Sequence, residues 1–136
     1  MTVISIPDKS TIQIPGGGVN GPWQTQEFNG QSDFTLGDWN GRATVHLQGR
    51  LVMPTDLTKW PTWFEVQVVR QGEDPTGGET YPVPPKASQG FNYMIEMDVD
   101  PARSLSVQMR HNGKADIQRV KGILKIAPKV TEVIAR

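Results

Sequence analysis

The chain has 136 residues, a length typical of one compact domain, and we expect a single domain over residues 1–128 followed by a tail over 129–136. Its 14 basic and 14 acidic residues give a formal net charge of +0, which argues against nucleic-acid or membrane binding driven by net charge, and the lack of cysteine excludes disulfides and thiolate metal sites. The first ten residues do not resemble a signal peptide, and no segment approaches the roughly 20 apolar residues of a membrane span, so we expect a soluble protein without membrane insertion.

The N-terminal segment alternates short apolar runs with turn residues. Residues 3–6 and 11–14 are rich in β-branched side chains and predict two short strands. Residues 15–22 hold six glycines or prolines, which stop either strand from continuing through them, so we interpret this segment as a connector or interaction arm. Asn29-Gly30 then predicts a tight hairpin turn between two weaker strands.

Two longer strands follow, and both show period-2 alternation. Between residues 42 and 53 the apolar side chains fall at odd positions, and between residues 63 and 70 they fall at even ones. Each strand therefore has one buried and one wet face. Gly49 leaves a gap in the buried row of the first strand, which an aromatic ring from the opposite sheet could fill or a bulge could use.

Residues 71–90 contain eight glycines or prolines and few groups able to build a core. A structureless connection of about 20 residues is uncommon in a compact domain and is usually a functional loop or an interaction arm. This segment and residues 15–22 together hold 14 of the 25 glycines and prolines in the chain. Function is therefore expected first in these two segments.

The C-terminal half predicts three more strands. Residues 91–99 and 105–110 alternate apolar and polar side chains, and Asn112-Gly113 is the strongest short-range hairpin signal in the chain. No segment keeps helical spacing over 11 or more residues. The fold we expect is all-β, an antiparallel β-sandwich or jelly roll of about seven to nine strands with no substantial helix.

The last strand changes the phase of its alternation. Ile117 is apolar at an odd position, whereas the later apolar residues fall at even ones, which predicts a β-bulge near Gln118 or Arg119. The odd-numbered face beyond this bulge carries three basic residues, Arg119, Lys121 and Lys125. They form either a solvated face whose lysines discourage edge pairing or a patch that docks on an acidic neighbouring subunit.

Groups able to carry catalysis or bind a metal are few. His46 falls on the wet face of a strand and His111 in a turn, and neither has a catalytic motif around it, so we expect no enzyme activity. Asp98 and Asp100 could supply oxygen ligands to Ca²⁺. Without a calcium-loop motif, the simpler interpretation is that Asp98 faces solvent and Asp100 caps a turn, and we predict no metal and no cofactor.

All four tryptophans lie in the first half of the chain. We expect most of them to anchor the core or a loop, because Trp supplies the largest apolar area of any side chain. Trp39, in the sequence Gly-Asp-Trp-Asn-Gly, is the best candidate for an exposed contact. Trp60 and Tyr81 are further candidates for contact with a glycan or a protein partner.

Four phrases of the sequence carry a resemblance to a known family. They are GPWQTQEF at 21–28, DFTLGDW at 33–39, KWP at 59–61 and QGFNY at 89–93. With these phrases, the chain resembles the small minor tail proteins of actinobacteriophages, which are encoded among the tail genes of siphophages infecting mycobacteria and their relatives. The resemblance covers most of the chain and includes no catalytic signature.

The resemblance implies a non-enzymatic virion protein, a β-sandwich module of the tail tip that folds in the host cytoplasm and assembles as a homo-oligomer with other tail proteins. A head decoration protein on the capsid is the nearest alternative, since it shares the small β-rich form and a flexible arm. A carbohydrate-binding β-sandwich that attaches to host surface glycans is an alternative from a different class. That alternative would use Trp39, Trp60 or Tyr81 as stacking platforms.

Overall fold

A computed structural model describes residues 3–18 and 21–129. Its strands are β1 (Ile4–Asp8), β2 (Ile12–Ile14), β3 (Gln24–Thr25), β4 (Gly41–Val52), β5 (Trp63–Arg70), β6 (Thr76–Pro82), β7 (Ser88–Val99), β8 (Leu105–His111) and β9 (Ile117–Pro128). A 3-10 turn, Leu57–Lys59, lies between β4 and β5. Except for Lys129, the tail expected over 129–136 lies outside the described residues.

The strands form two antiparallel sheets, which confirms the predicted β-sandwich. In the five-stranded sheet, β9 pairs with β1 and β2 on one side and with β4 on the other, and β7 is the far edge. In the four-stranded sheet the order is β3-β8-β5-β6. The two inner faces enclose one apolar core.

The core follows from the alternation in the long strands. Leu47 of β4, Val66 of β5 and Val107 of β8 are each at most 1% exposed, whereas their chain neighbours are more accessible on most of these strands. Burying such a side chain contributes about 1.5–3 kcal/mol. Gly49 is covered by the ring of Phe91, which lies directly opposite it on the neighbouring strand β7 and not on the opposite sheet.

Of the two predicted hairpin turns, the one at Asn29-Gly30 is confirmed and the one at Asn112-Gly113 is wrong. Asn29 and Gly30 have φ values of 54° and 81°, and the amide of Phe28 donates to the carbonyl of Gln31 at 2.8 Å, as a tight hairpin requires. Asn112 and Gly113 form no such turn. The strands on either side, β8 and β9, belong to different sheets, and Asn112 Oδ1 accepts from the amides of Thr62 and Trp63 at 2.8 and 3.1 Å.

Residues 71–90 are not structureless. Residues 76–82 form β6, the edge strand of the four-stranded sheet, and β7 already begins at Ser88. Gly77 has a φ of 71°, and a Cβ there would overlap the side chain of Ile95 on β7. Here glycine allows close approach of the two sheets.

The described part of residues 15–22 packs against its own chain. The amides of Gly17 and Gly18 both donate to the carbonyl of Gly113 at 3.1 Å, and the amide of Gly21 donates to Gly18. The segment therefore covers the connection between β8 and β9. Residues 19 and 20 lie outside the described part of the chain.

The β-bulge in β9 exists but lies further along the strand than expected. Gln48 of β4 pairs with Ile123 and Arg50 pairs with Val120, so two steps along β4 face three along β9. The additional residue falls at Lys121, whose φ is 54°, and not at Gln118 or Arg119. Arg119 thus precedes the bulge and keeps the inward phase of the strand start.

Candidate functional site

Arg119 was predicted to belong to an exposed basic face, and this is wrong, because its side chain is 0% exposed. The guanidinium donates to Gln26 Oε1 at 2.7 Å and to the Glu27 carbonyl at 2.6 Å, and it lies 3.3 Å from Asp8 Oδ2. It also stacks 4.3 Å from the centroid of the Phe28 ring. Arg119 therefore joins β1, the segment after β3, and β9 inside the sandwich.

The buried pair is held by several opposing effects. Burial raises the pKa of Asp8, but hydrogen bonds from Ser10 and the charge of Arg119 bring the net pKa below its usual value. Arg119 Nη1 is the one buried side-chain nitrogen or oxygen without a partner among the described residues. This atom occupies the space that a Cβ of residue 122 would need, so Gly122 is required beside it.

Lys121 and Lys125, the other two members of the predicted basic face, are exposed on the outer face of the five-stranded sheet. We define the basic face by Lys9, Arg50, Lys121 and Lys125, all of which are exposed. Lys125 lies between Ser5 of β1 and His46 of β4. Among the described residues none of the four is in an ion pair, whereas the acids at the other end of this face are paired, Glu96 with Lys129 and Asp98 with Arg42.

The basic face has an apolar centre. Ile123, which is 39% exposed, lies between Lys121 and Lys125 on β9. Met94, which is 55% exposed, lies on the edge strand β7, across His46 from Lys125. Ile123 pairs with Pro7 on β1, and next to them lies a shallow depression of about 400 Å³ that is rimmed by Lys9 and Lys121. Apolar side chains within a charged rim are the usual anatomy of a protein interface.

Trp39 and Trp60 are loop anchors in the structure. Both are partly buried against the core. The indole of Trp39 donates to the Arg42 carbonyl at 2.8 Å, and that of Trp60 donates to the Pro54 carbonyl at 2.6 Å. Each indole N–H is therefore used to hold its own loop. Neither ring lines the cavity of about 370 Å³ that Tyr81 lines at the edge where β6 meets β7.

Tyr81 lines a cavity of about 370 Å³ at the edge where β6 meets β7. One face of its ring stacks on Phe64, with centroids 4.8 Å apart and an interplanar angle of 13°. Its hydroxyl donates to the Asn92 carbonyl at 3.2 Å. Lys86 and Asn92 also line the cavity, so polar residues lie beside its aromatic wall.

A second aromatic site lies on the outer face of the four-stranded sheet. The guanidinium carbon of Arg110 is 4.4 Å from the centroid of the Trp23 ring and 5.9 Å from that of Trp63, and Arg110 also pairs with Glu65 at 3.0 Å. The sequence reasoning missed this group. The odd-numbered side chains of β5 do place Trp63 and Glu65 on one outward face, but nothing in the sequence indicates that Arg110 would lie opposite them.

The two histidines lie in very different surroundings. His46 contacts Asn92 on the outer face of the five-stranded sheet. His111 is 0% exposed, which corrects its interpretation as a surface or turn residue; its Nε2 donates to the Ile14 carbonyl at 2.9 Å, and its Nδ1 accepts from the Gly113 amide at 3.0 Å. Burial lowers the pKa of His111, against the opposing effects of the Ile14 carbonyl and Asp116. Both ring nitrogens are thus used for structure.

Asp98 and Asp100 lie as the simpler interpretation expects. Asp98 is exposed beside Arg42 at 3.5 Å, and Asp100 Oδ1 accepts from the Ala102 amide at 2.9 Å, which caps the turn after β7. Within residues 3–18 and 21–129, no group of three or more His, Asp or Glu side chains is arranged to hold a metal ion. No helix in these residues is long and apolar enough to cross a membrane.

No protein-family model and no curated protein matches the chain. Solved structures similar in fold include dimeric latent PorU from Porphyromonas gingivalis, with 10% identity, a TM-score of 0.49, and coverage of 93% of this chain but 12% of that one. A carbohydrate-binding module of Cellvibrio mixtus lichenase 5A in complex with cellotriose has 11% identity and a TM-score of 0.46, and the match covers 96% of this chain and 100% of the module. An exo-β-1,3-galactanase from Phanerochaete chrysosporium with galactose has 12% identity and a TM-score of 0.46, with coverage of 92% and 29%. What these proteins share with the chain is the β-sandwich fold.

Proposed function

We propose that the chain is a non-enzymatic component of a phage tail that docks on an acidic surface of a neighbouring virion subunit through its basic face. The observation that carries this proposal is the basic face itself, four exposed cations without ion-pair partners in the described chain around an apolar centre. The resemblance to minor tail proteins of actinobacteriophages supports the tail as the location. The net charge of the chain is zero, so this surface is a local feature and not the result of a generally basic protein.

The chemistry of the basic face suits docking better than catalysis. Unpaired charges on a complementary surface steer encounter and fix orientation, while burial of Ile123 and Met94 contributes affinity. The nearest candidate base, His46, is in contact with Asn92 on this face. Three of the four cations, Arg50, Lys121 and Lys125, lie on paired strands of the sheet. The backbone of the basic face is therefore already in place before docking, which lowers the entropy cost of binding.

Electron microscopy of virions tests the tail location. An antibody raised against the purified chain and detected in negative stain should label the tail tip. Label over the capsid would contradict the tail location and support a head decoration protein. Antibody against the major capsid protein serves as the control for label specificity.

A second candidate function, binding of a host surface glycan, is favoured by the cavity beside Tyr81. One face of the Tyr81 ring is fixed by Phe64, and Lys86 and Asn92 offer polar groups across the cavity. A concave site that combines an aromatic wall with a few polar groups is a usual form of small-ligand site. The cavity lies at the margin of the basic face, because Gly90 lines the cavity and pairs with Arg50.

Calorimetric titration with cell-wall glycan fragments tests this second function. Wild-type protein should bind, Tyr81→Ala should lose binding, and Tyr81→Phe should keep most of it because the ring remains. Trp39→Phe is a matched control, since Trp39 lies outside the cavity. Lack of heat at millimolar glycan, or equal binding by Tyr81→Ala, would contradict glycan binding at this site.

A further inference from the structure

We infer that the partner of the basic face is a second copy of this chain, which inserts the tip of its β5–β6 connection into the depression rimmed by Lys9 and Lys121. This inference rests on the docking role proposed for the basic face. We use the word tip for Asp74 and Pro75, which follow the turn Arg70–Glu73 and directly precede β6. Both residues are exposed, and Asp74 is in no ion pair among the described residues.

Charge is separated within the molecule. The four cations of the basic face leave the remainder of the chain with 14 acidic residues against 10 basic ones, a formal charge of −4. The end of the sandwich that carries the tip also exposes Asp33 and Asp38, neither of which has an ion-pair partner in the described chain. Two basic faces would repel each other, so copies of this chain attract one another only when unlike ends meet.

The tip is held ready for insertion. Glu73 is bound by Arg70 and Arg103, and its amide donates to the Arg70 carbonyl at 2.9 Å. The amide of Gln71 donates to the Ser104 carbonyl at 2.9 Å. These contacts fix both the start of the connection and the residue before Asp74, so little conformational entropy remains to be lost on docking.

The depression matches the tip in chemistry. Its apolar walls are Pro7 and Ile123, which suit a proline ring, and two ammonium groups at the rim suit a carboxylate. A volume of about 400 Å³ is ample for an Asp-Pro pair. Asp8 also lines it, but its carboxylate is engaged by Arg119 and by the amide of Ser10 at 2.9 Å.

The tip and the depression of one molecule cannot meet each other. The connection that holds the tip begins after Arg70, which donates to the Asp98 carbonyl at 2.8 Å, and Asp98 pairs with Arg42 at the start of β4. Lys121 lies at the other end of β4, next to Val120, the partner of Arg50. Nine residues of strand separate the two levels, roughly 30 Å at about 3.3 Å per residue. The contact is therefore between molecules and head to tail, the geometry that generates rings or filaments.

Light scattering of paired variants tests this inference. The face variant Lys9→Glu/Lys121→Glu reverses the charges at the rim of the depression, and the tip variant Asp74→Lys reverses the charge of the tip. We expect wild type to form oligomers at low salt that dissociate in about 0.5 M salt, because salt screens the contact. Each variant alone should be monomeric at 15.1 kDa, because its tip and its face then carry the same sign of charge. An equimolar mixture should regain oligomers, because the native tip meets the native face and the reversed tip meets the reversed face.

Controls and contrary outcomes are defined by the same experiment. Lys59→Glu/Lys114→Glu makes the same change of charge as the face variant at exposed positions outside the tip and the depression, and it should oligomerise as wild type does. Monomeric wild type at all concentrations, self-association of either variant alone, or a monomeric mixture would overturn the inference. If wild type is monomeric but antibody labels the virion tail, the tail function stands and the basic face binds another acidic subunit.

Discussion

Replacing Arg119 with alanine should be among the most destabilising single substitutions in this protein. The substitution removes a side chain that is 0% exposed and makes hydrogen bonds of 2.7 Å to Gln26 and 2.6 Å to the Glu27 carbonyl. It also leaves the buried carboxylate of Asp8, 4% exposed, without its counter-charge. Removing one partner of a buried pair costs about 3–5 kcal/mol.

Urea unfolding of Arg119→Ala and wild type measures this cost. A loss of about 3–5 kcal/mol corresponds to a fall in melting temperature of roughly 10–20 °C in a domain of this size. Lys125→Ala is the matched control, since an exposed lysine on the same strand should change stability by about 0.5 kcal/mol or less. Equal free energies of unfolding for the two variants in urea would refute the structural role given to Arg119, and equal melting temperatures in a thermal scan would do the same.

A double-mutant cycle separates the ion pair from the lost packing, and it also covers the case in which Arg119→Ala fails to fold. Arg119→Met keeps much of the side-chain volume, and Asp8→Ala removes the carboxylate. The double variant should be more stable than the sum of the two single losses by about 0.5–3 kcal/mol, because neither charge is left alone. Additive losses would show that Asp8 and Arg119 do not stabilise each other.

Three further outcomes follow from other buried contacts. Gly122→Ala should lose about 1–3 kcal/mol by overpacking in thermal unfolding, whereas Gly78→Ala, with open space around it, should lose little. The pKa of His111 is lower in the folded than in the unfolded protein, where it lies near 6.5. The free energy of unfolding should therefore be highest above pH 6.5 and should decline as the pH falls below that value. In urea unfolding at several pH values, His111→Gln should reduce this decline, and His46→Gln should not. Phe91→Ala should lower the free energy of unfolding by about 3–5 kcal/mol and expose the amide of Gly49 to hydrogen exchange.

The fold could be predicted because most long strands are half-buried. In β4, β7 and β8 a period of two separates core from solvent, and no helical pattern competes with it. The same rule failed at β6. Its glycines suggested an arm, but an edge strand tolerates glycine, and Gly77 is needed there so that β6 can approach β7.

The candidate surface could be predicted only in part, because the bulge of β9 was placed before Arg119 and not at Lys121. Arg119 was therefore assigned to the outward face, although it belongs to the inward one. Arg119 has the same parity as the buried Ile117, and this was the available signal, but an arginine is buried only when partners neutralise it. Those partners are Asp8 and Gln26, each more than 90 residues away in the chain. Pairings at that separation follow from sheet topology, which alternation does not encode.

Lysine reactivity in free protein and in intact virions tests docking through the basic face most directly. Lys9, Lys121 and Lys125 should react with an amine-modifying reagent in the purified monomeric chain and become protected in virions, read by mass spectrometry of the digested protein. Lys59 and Lys114, exposed elsewhere, should react in both states. Unchanged reactivity of the three basic-face lysines in virions that contain the protein would contradict docking through this face.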